Sequence, residues 1–528
     1  ASYIHSFGYD YGVHVGIETC RFPVRTYGDM TFPPGEYEAL KKACEYERKK
    51  EQEISSQERP VFHLSPRVGW MNDPNGFSYY DGKYHLFYQY HPYDTVWGPM
   101  HWGHVVSDDL LHWEYLPVAI APDEKYDKDG CFSGSALALD DGRHLLMYTG
   151  VRREEQPDGT VRDIQAQCIA VGDGLEYKKY EKNPVLGEND LPEGSSKFDF
   201  RDPKMWRGTD GRFYCVVGSR HVKNQGQILL FSSDDGFDWK YDTTLASNDN
   251  RYGRMWECPD FFKLGDKWLL ITSPQDLVPQ GLEFDNGNVT LCIAGEYNAQ
   301  NEKFTEQNVQ TLDYGIDFYA PQTILAPDGR RIMIGWMQNW DTCQMCPEDA
   351  KWFGQTSLPR ELFWKDGRVC QKPVREVDAM RSECIRFSNV TVSGDFKLDE
   401  ICGRMIDMEI SLHPNDVNNH YRKFRIDFAE NDQYYTSLIF DPIEDTLEID
   451  RKHCGSRRAI DHQRKCRANY KNNELKLRII LDRYSAEISV NDGESVITTT
   501  MYTDQNADSV SFYADGKAQM DIVKYNLD

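Results

Sequence analysis

"GWMNDPNGFSYYDGKYHLFYQY", residues 69–90, carries two signals in one stretch. Its second half reads as a β-hairpin, because apolar and aromatic residues flank Asp81-Gly82 and an Asp-Gly pair between strand-like runs favours a tight turn. Its first half sets a carboxylate, Asp73, between Asn72 and Pro74. Asn, Asp, Pro and Gly gather in turns for backbone reasons alone, so a lone N-D-P-N-G needs no function. This one is not alone.

Four further segments share the design: "ALDDGRHLLMYTG" (138–150), "RGTDGRFYCVVGS" (207–219), "FKLGDKWLLITSP" (262–274) and "LAPDGRRIMIGWM" (325–337). Each is a short turn of Asp and Gly, usually a basic residue, then an apolar strand. The turn pairs begin at Asp81, Asp141, Asp210, Gly265 and Asp328, 55 to 69 residues apart. Repetition at this period, with room for about four short strands per unit, predicts a five-bladed β-propeller. Eight residues before each turn pair stand Asp73, Ser133, Asp202, Glu257 and Ala320, inside N-D-P-N-G, F-S-G-S, F-R-D-P-K, W-E-C-P-D and Y-A-P-Q-T. The first strand of every blade lines the axis, so these five positions are expected to meet in one ring. Three of them are carboxylates. Turn chemistry gives no reason for that.

The rest of the chain fits an all-β reading. It has 528 residues, enough for two to four domains, and 13% aromatic residues, which suit strands and sugar faces. The net charge of −25 argues against nucleic acid or an anionic membrane surface as partners. No apolar run reaches the length of a membrane span. The 14 cysteines show no framework spacing, and Cys343-Gln-Met-Cys346, the one C-x-x-C, has no second pair beside it. It reads as a loop with two thiols, and neither a metal nor a cofactor is expected. His91, His101 and His104 lack carboxylates at ligand spacing, which also argues against a metal. These features point to a cytoplasmic protein, or a secreted one if a leader has been removed.

One helix is expected, over about 34–56, in an N-terminal extension of residues 1–58 that could cap the propeller or meet another subunit. A homodimer is left open. The propeller is assigned to 59–368. From 369 to 528 the Asp-Gly rhythm stops, and alternating runs such as "KFRIDFAE" and "KLRIILDRYSAEISVND" read as a β-sandwich of two antiparallel sheets. The charged stretch "DRKHCGSRRAIDHQRKCR" (450–467) reads as a solvated strand face and loop, with a patch for an anionic ligand as the alternative.

Two carboxyl groups facing each other across a pocket suffice to hydrolyse a glycosidic bond: one protonates the leaving oxygen, the other attacks the anomeric carbon or activates water. A third can bind hydroxyls or stabilise the positive charge of the transition state. The attacking carboxylate needs donors, which Asn72 and Asn75 could supply, and Arg201 offers a fork for Asp202 or for hydroxyls.

W-M-N-D-P-N-G, F-R-D-P and W-E-C-P-D, in this order and spacing, resemble glycoside hydrolase family 32, the β-fructofuranosidases, over roughly residues 60–528. The resemblance implies a five-bladed propeller followed by a β-sandwich, with Asp73 as nucleophile, Asp202 as transition-state stabiliser and Glu257 as acid/base, its proton held by burial and negative neighbours. It further implies a small carbohydrate as substrate, sucrose or a short fructo-oligosaccharide. Trp70, Trp97, Trp336 and Phe132 are expected to wall the pocket, and Asn72, Gln89, Ser133, Arg201 and Tyr319 to bind substrate. His91, in "QYHPYD", is similar to the bacterial intracellular sucrose-cleaving branch, so the substrate's phosphorylation state stays open. So do a sucrose-6-phosphate hydrolase, an exo-acting inulinase or levanase, a fructosyltransferase, and an inactive sugar-binding propeller.

Overall fold

The computed structural model describes residues 37–247, 249, 251–285, 287–344, 346–455 and 461–528. Five four-stranded antiparallel sheets follow one another from Gly69 to Pro373, one for each repeat. Their first strands are Gly69–Tyr80, Gly130–Ala138, Ser195–Arg207, Met255–Leu264 and Tyr319–Leu325, and each of these five touches the next, the last closing on the first. The short strand Trp352–Phe353 adds itself, parallel, to Gly69–Trp70 and ties the end of the propeller to its beginning. The five-bladed expectation is met.

The repeated Asp-Gly turns have two forms. In blade 1 Tyr80 pairs with Lys83, and Asp81 and Gly82 both have positive φ, as a two-residue hairpin turn requires. Blades 2, 3 and 5 use five-residue loops instead. There Asp141, Asp210 and Asp328 each accept the backbone N–H of the arginine two residues on, while the intervening glycine takes a left-handed φ. The D-G-R signature is thus a capped loop made three times.

The sandwich is organised by one long strand, Ser509–Leu527. Its first half pairs with Tyr421–Glu430 and its second half with Ile406–Leu412, while Arg381–Phe396 runs along its other edge. Inward-facing residues such as Ile410, Phe424, Ile479 and Ile522 form a large core, which Tyr314 and Ile316 of the propeller enter.

Three expectations need correction. The helix spans Glu38–Glu51 (α1) rather than 34–56; residues 34–36 lie outside the described set. Its buried stripe of Leu40, Ala43, Cys44 and Glu47 ends one turn before Gln52, so nothing holds the chain helical beyond it. The helix packs on blade 1, against the strand Glu114–Ile120. The propeller extends to Pro373, since Arg368–Pro373 is the outer strand of blade 5, and the turn Arg375–Met380 leads into the sandwich. The charged stretch 450–467 is not wholly solvated: Arg451 and Arg464 are buried against the propeller, Arg451 paired with Asp317 and Arg464 donating to the Gly315 carbonyl.

Candidate active site

Every inner strand is broken by a bulge at the same height: Asn72-Asp73 in blade 1, Ser133 in blade 2, Asp202-Pro203, Cys258-Pro259 and Ala320-Pro321 in blades 3 to 5. A bulge leaves a backbone N–H unpaired, so proline is tolerated there, and it re-aims the side chain. Asp202, Cys258 and Ala320 also have positive φ, a strained setting for residues with a Cβ. Glu257 stands one residue before its bulge, in register with Arg201 and Tyr319 rather than with Asp202. Counting back eight residues crosses turns of unequal length, which is why that count lands on Glu257 and not on Cys258.

The three carboxylates do converge. Asp73, Asp202 and Glu257 are 7, 6 and 8% exposed and line one cavity of about 730 Å³ on the propeller axis. Asp73 accepts from Ser133 Oγ at 2.8 Å and from Asn72 Nδ2 at 3.1 Å, and Asn72 is itself held by Trp70 Nε1 at 2.8 Å. Asp202 Oδ2 accepts from the Cys258 backbone N–H at 3.0 Å. The Cys258 thiol lies 3.5 Å from both Asp73 Oδ2 and Asp202 Oδ2, so the two carboxyls meet across one sulfur. Below them the axis is plugged by buried cross-links: Gln322 Nε2 donates to the Gly134 carbonyl at 2.6 Å and Lys204 Nζ to the Thr323 carbonyl at 2.8 Å.

Arg201 takes a different partner from the expected Asp202: its Nε and Nη2 reach Glu257 Oε1 at 3.0 and 2.8 Å. The other oxygen, Oε2, faces the Tyr319 hydroxyl at 2.8 Å and Trp340 Nε1 at 3.3 Å. That hydroxyl also lies 2.7 Å from the Ser273 carbonyl. The hydroxyl's one proton can serve only one of these two acceptors at a time.

Burial and negative neighbours act on the two aspartates. Desolvation first, then the charge of Glu257, pushes Asp73 up to about 6. Asp202 is raised by burial too, against the pull of Arg201, with Glu257 and Asp73 adding to the rise. Two outcomes follow. If Asp73 must be ionised to react, kcat/KM climbs with pH through about 6 on its acid side, and a flat profile between pH 4.5 and 7.5 contradicts that role. In stability the sign is reversed. A carboxyl raised above its unfolded value holds its proton longer when folded, so stability is lost as pH rises through the folded pKa. Asp202→Asn should therefore melt higher than the unmodified protein at pH 8, with the gap closing towards pH 4. An equal or lower Tm at pH 8 refutes this.

Of the expected substrate-binding residues, Asn72, Gln89, Trp97, Phe132, Ser133 and Arg201 line the cavity. Trp97 is 38% exposed and meets Phe132 edge-on at 5.9 Å. Trp70, Tyr319 and Trp336 do not line it. They are fully buried behind it, Trp70 and Trp336 packed edge to face at 6.1 Å, so they orient Asn72 and Glu257 instead of forming a wall. The wall on that side is Trp340, which the sequence reading missed. Also missed are Arg153, Arg162, Phe198 and Arg220. They sit near hairpin tips or strand ends of blades 2 and 3, outside the repeated motif, and only knowledge of which face those tips share would have found them. His91, His101 and His104 bond to the Val96 carbonyl, the Pro99 carbonyl and His85.

Comparison with known proteins bears on this geometry. The model of the glycosyl hydrolases family 32 N-terminal domain matches residues 63–373, and that of the family 32 C-terminal domain matches 376–527. Residues 1–45 match the model of stage II sporulation protein R, and all but the last nine of them lie outside the described set. A raffinose invertase of Escherichia coli is 40% identical over 458 residues, 86% of this chain and 92% of that protein. A sucrose-6-phosphate hydrolase of Escherichia coli is 38% identical over 464 residues, 86% and 91% of the two chains. The Bombyx mori GH32 β-fructofuranosidase BmSUC1, also solved as a mutant in complex with sucrose, superposes with a TM-score of 0.79 at 34% identity, covering 93% of this chain and 98% of its own. With both domain models matched end to end across propeller and sandwich, this chain belongs to glycosyl hydrolase family 32.

Proposed function

We propose that this chain cleaves the terminal non-reducing β-D-fructofuranosyl unit from free sucrose and short fructo-oligosaccharides, with retention through a fructosyl-enzyme intermediate. Its family membership makes it a glycoside hydrolase of the β-fructofuranosidase class; the substrate and the roles below are the proposal. Asp73 attacks the anomeric carbon, Glu257 protonates the leaving oxygen and then activates water, and Asp202 stabilises the charge that builds up on the ring. The observation that carries this is the convergence of the three carboxyls in one cavity whose far end is plugged, a pocket that admits chain ends rather than chain middles. The cysteine spacing, without a disulfide framework, supports a reducing compartment as its setting.

Beside Arg201 the cavity presents Arg153, Arg162 and Arg220, which bear on whether a phosphorylated substrate could bind. Four guanidinium groups line the cavity, but five carboxyls line it with them. Arg153 pairs with Asp163 at 3.1 Å and Arg220 with Asp199 at 2.6 Å. A phosphate dianion would meet as much negative as positive charge, and a neutral sugar finds donors and acceptors together. The second reading, a sucrose 6-phosphate hydrolase, is favoured by those same arginines and by the relatives that bear that name.

Comparing kcat/KM for sucrose, sucrose 6-phosphate and inulin decides between them. The expected order places sucrose at or above its phosphate, with inulin shortened only from its fructosyl ends. A preference for the phosphate above a hundredfold, about 2.7 kcal/mol, establishes the second reading. Random internal cuts in inulin refute the plugged pocket.

A further inference from the structure

We propose that α1, ahead of the two family domains, clamps the substrate pocket from outside: through Tyr46 it fixes the loop of residues 92–100 that carries Trp97 into the cavity. Tyr46 does not line the cavity and is a positioning residue. This rests on the reading of the site given above, with Trp97 as part of its wall. The helix is a firm base. Leu40, Ala43, Cys44 and Glu47 bury its inner face, Glu47 accepts from the Tyr90 hydroxyl at 3.0 Å, and Glu51 accepts from Arg67 Nη1 at 2.8 Å. The loop is the opposite. It joins the strands Lys83–His91 and His101–Ser107, lies outside the hydrogen-bond ladder of blade 1, and exposes Val96 and Trp97 side by side.

A chain of packed rings connects the two. The half-buried Tyr46 meets Tyr93 edge to face at 5.0 Å, and Lys42 Nζ stands 5.3 Å from the centre of the same ring. Tyr93 in turn meets His91 at 6.0 Å and His101 at 5.8 Å, the residues that end one strand and begin the next. His91 Nδ1 lies 2.9 Å from the Val96 carbonyl, and its ring sits so close to Gly98 that a Cβ there would come within 2.3 Å of it. Val96 and Gly98 flank Trp97, so His91 braces the backbone on both sides of that side chain. Beside the tyrosine pair a gap of about 210 Å³ separates helix from loop, with Lys50, Ile54, Asp94 and Thr95 in its lining. A gap gives the loop no dispersion contact, which leaves Tyr93 as its hold on the helix. A pocket wall fixed in this way binds without the cost of being ordered by its ligand.

The test measures kcat and KM for sucrose in Tyr46→Ala, Tyr46→Phe and Glu45→Ala, and in Tyr46→Ala combined with Trp97→Ala. Tyr46→Ala is expected to raise KM about fivefold with kcat held within about twofold, because a wall binds ground state and transition state alike. Tyr46→Phe keeps the ring and should keep KM, since the hydroxyl lies 3.5 Å from the Tyr93 carbonyl, at the limit of a hydrogen bond. Glu45→Ala, on the exposed side of the same helix, should change neither constant. In the Trp97→Ala background Tyr46→Ala should add less than about twofold, as a residue acting through Trp97 must. A KM within about twofold of the unmodified enzyme in Tyr46→Ala overturns the clamp. So does a full rise in the Trp97→Ala background, or a fall in kcat alone, the mark of lost folded enzyme. Failure of the unmodified enzyme to release glucose from sucrose would overturn the proposed function itself, a different result.

Discussion

Asp73→Asn is expected to lower kcat on sucrose by at least a thousandfold while leaving the fold intact. Each tenfold is about 1.4 kcal/mol of barrier, so the loss is on the order of 4 kcal/mol or more. Asparagine has the same shape: its Oδ1 can still accept from Asn72, which now donates to Asp73 Oδ1 at 3.1 Å, and its Nδ2 can donate to the Ser133 hydroxyl, which now donates to Asp73 Oδ2 at 2.8 Å. What it lacks is the negative oxygen that forms the bond to the anomeric carbon. The same change removes a buried charge that desolvation and Glu257 already disfavour. Thermal stability at neutral pH should therefore hold or rise, the usual relation between a strained catalytic group and the fold that bears it. A folded variant that keeps a tenth of the activity would remove Asp73 from the reaction.

How far the sequence could be read is best seen at particular residues. The Asp-Gly turns announced the blades because the two-residue hairpin turn at Asp81 and the capped loops at Asp141, Asp210 and Asp328 need those residue types and little else. Asp73 and Asp202 were legible for a related reason: a bulge that carries an acid and a proline interrupts an otherwise apolar strand and stands out. Glu257 was found by a count that is off by one register position, and the family resemblance rather than geometry secured it. Trp70, Tyr319 and Trp336 were given to the pocket because a large aromatic beside a catalytic motif looks the same from sequence whether it faces the cavity or stands behind it. Trp340 and Phe198 were invisible for the opposite reason, since no repeat marks the loop that carries Trp340 or the strand start that carries Phe198. Nor did the sequence hint that Arg360 and Arg451, in unrelated stretches, would be buried where the two domains meet.

Arg360→Met should destabilise the protein by about 3–5 kcal/mol in denaturant unfolding, without altering any group in the cavity. Arg360 is 1% exposed and sits where propeller meets sandwich. Its Nε and Nη2 reach Glu487 Oε2 at 3.0 and 2.7 Å, and its Nη1 reaches Asp313 Oδ2 at 2.9 Å. Glu487 in turn meets His63 Nε2 at 2.9 Å, and His63 Nδ1 meets Asp482 at 2.8 Å. Two basic groups thus hold three buried carboxylates from both domains. Methionine fills the volume but leaves Asp313 and Glu487 short of a counter-charge, and an uncompensated buried charge costs more than the pair contributed. Arg360→Lys should recover only part of the loss, because an ammonium cannot serve both carboxylates with a planar fork. The pH dependence carries the same logic. Burial would raise Glu487, but Arg360 and His63 hold it down at about 2, so its contribution is present above the ordinary glutamate range and fades as pH falls through about 2. Burial would lower His63, but Asp482 and Glu487 lift it to about 9, so its contribution is full below its ordinary value near 6.5 and disappears as pH rises through 9. The unmodified protein should accordingly lose domain cohesion between pH 6.5 and 9, and His63→Gln should flatten that limb. If Arg360→Met unfolds at the same denaturant midpoint as the unmodified protein, this network does not hold the domains together, and the shared apolar core and the contacts of Arg451 and Arg464 do.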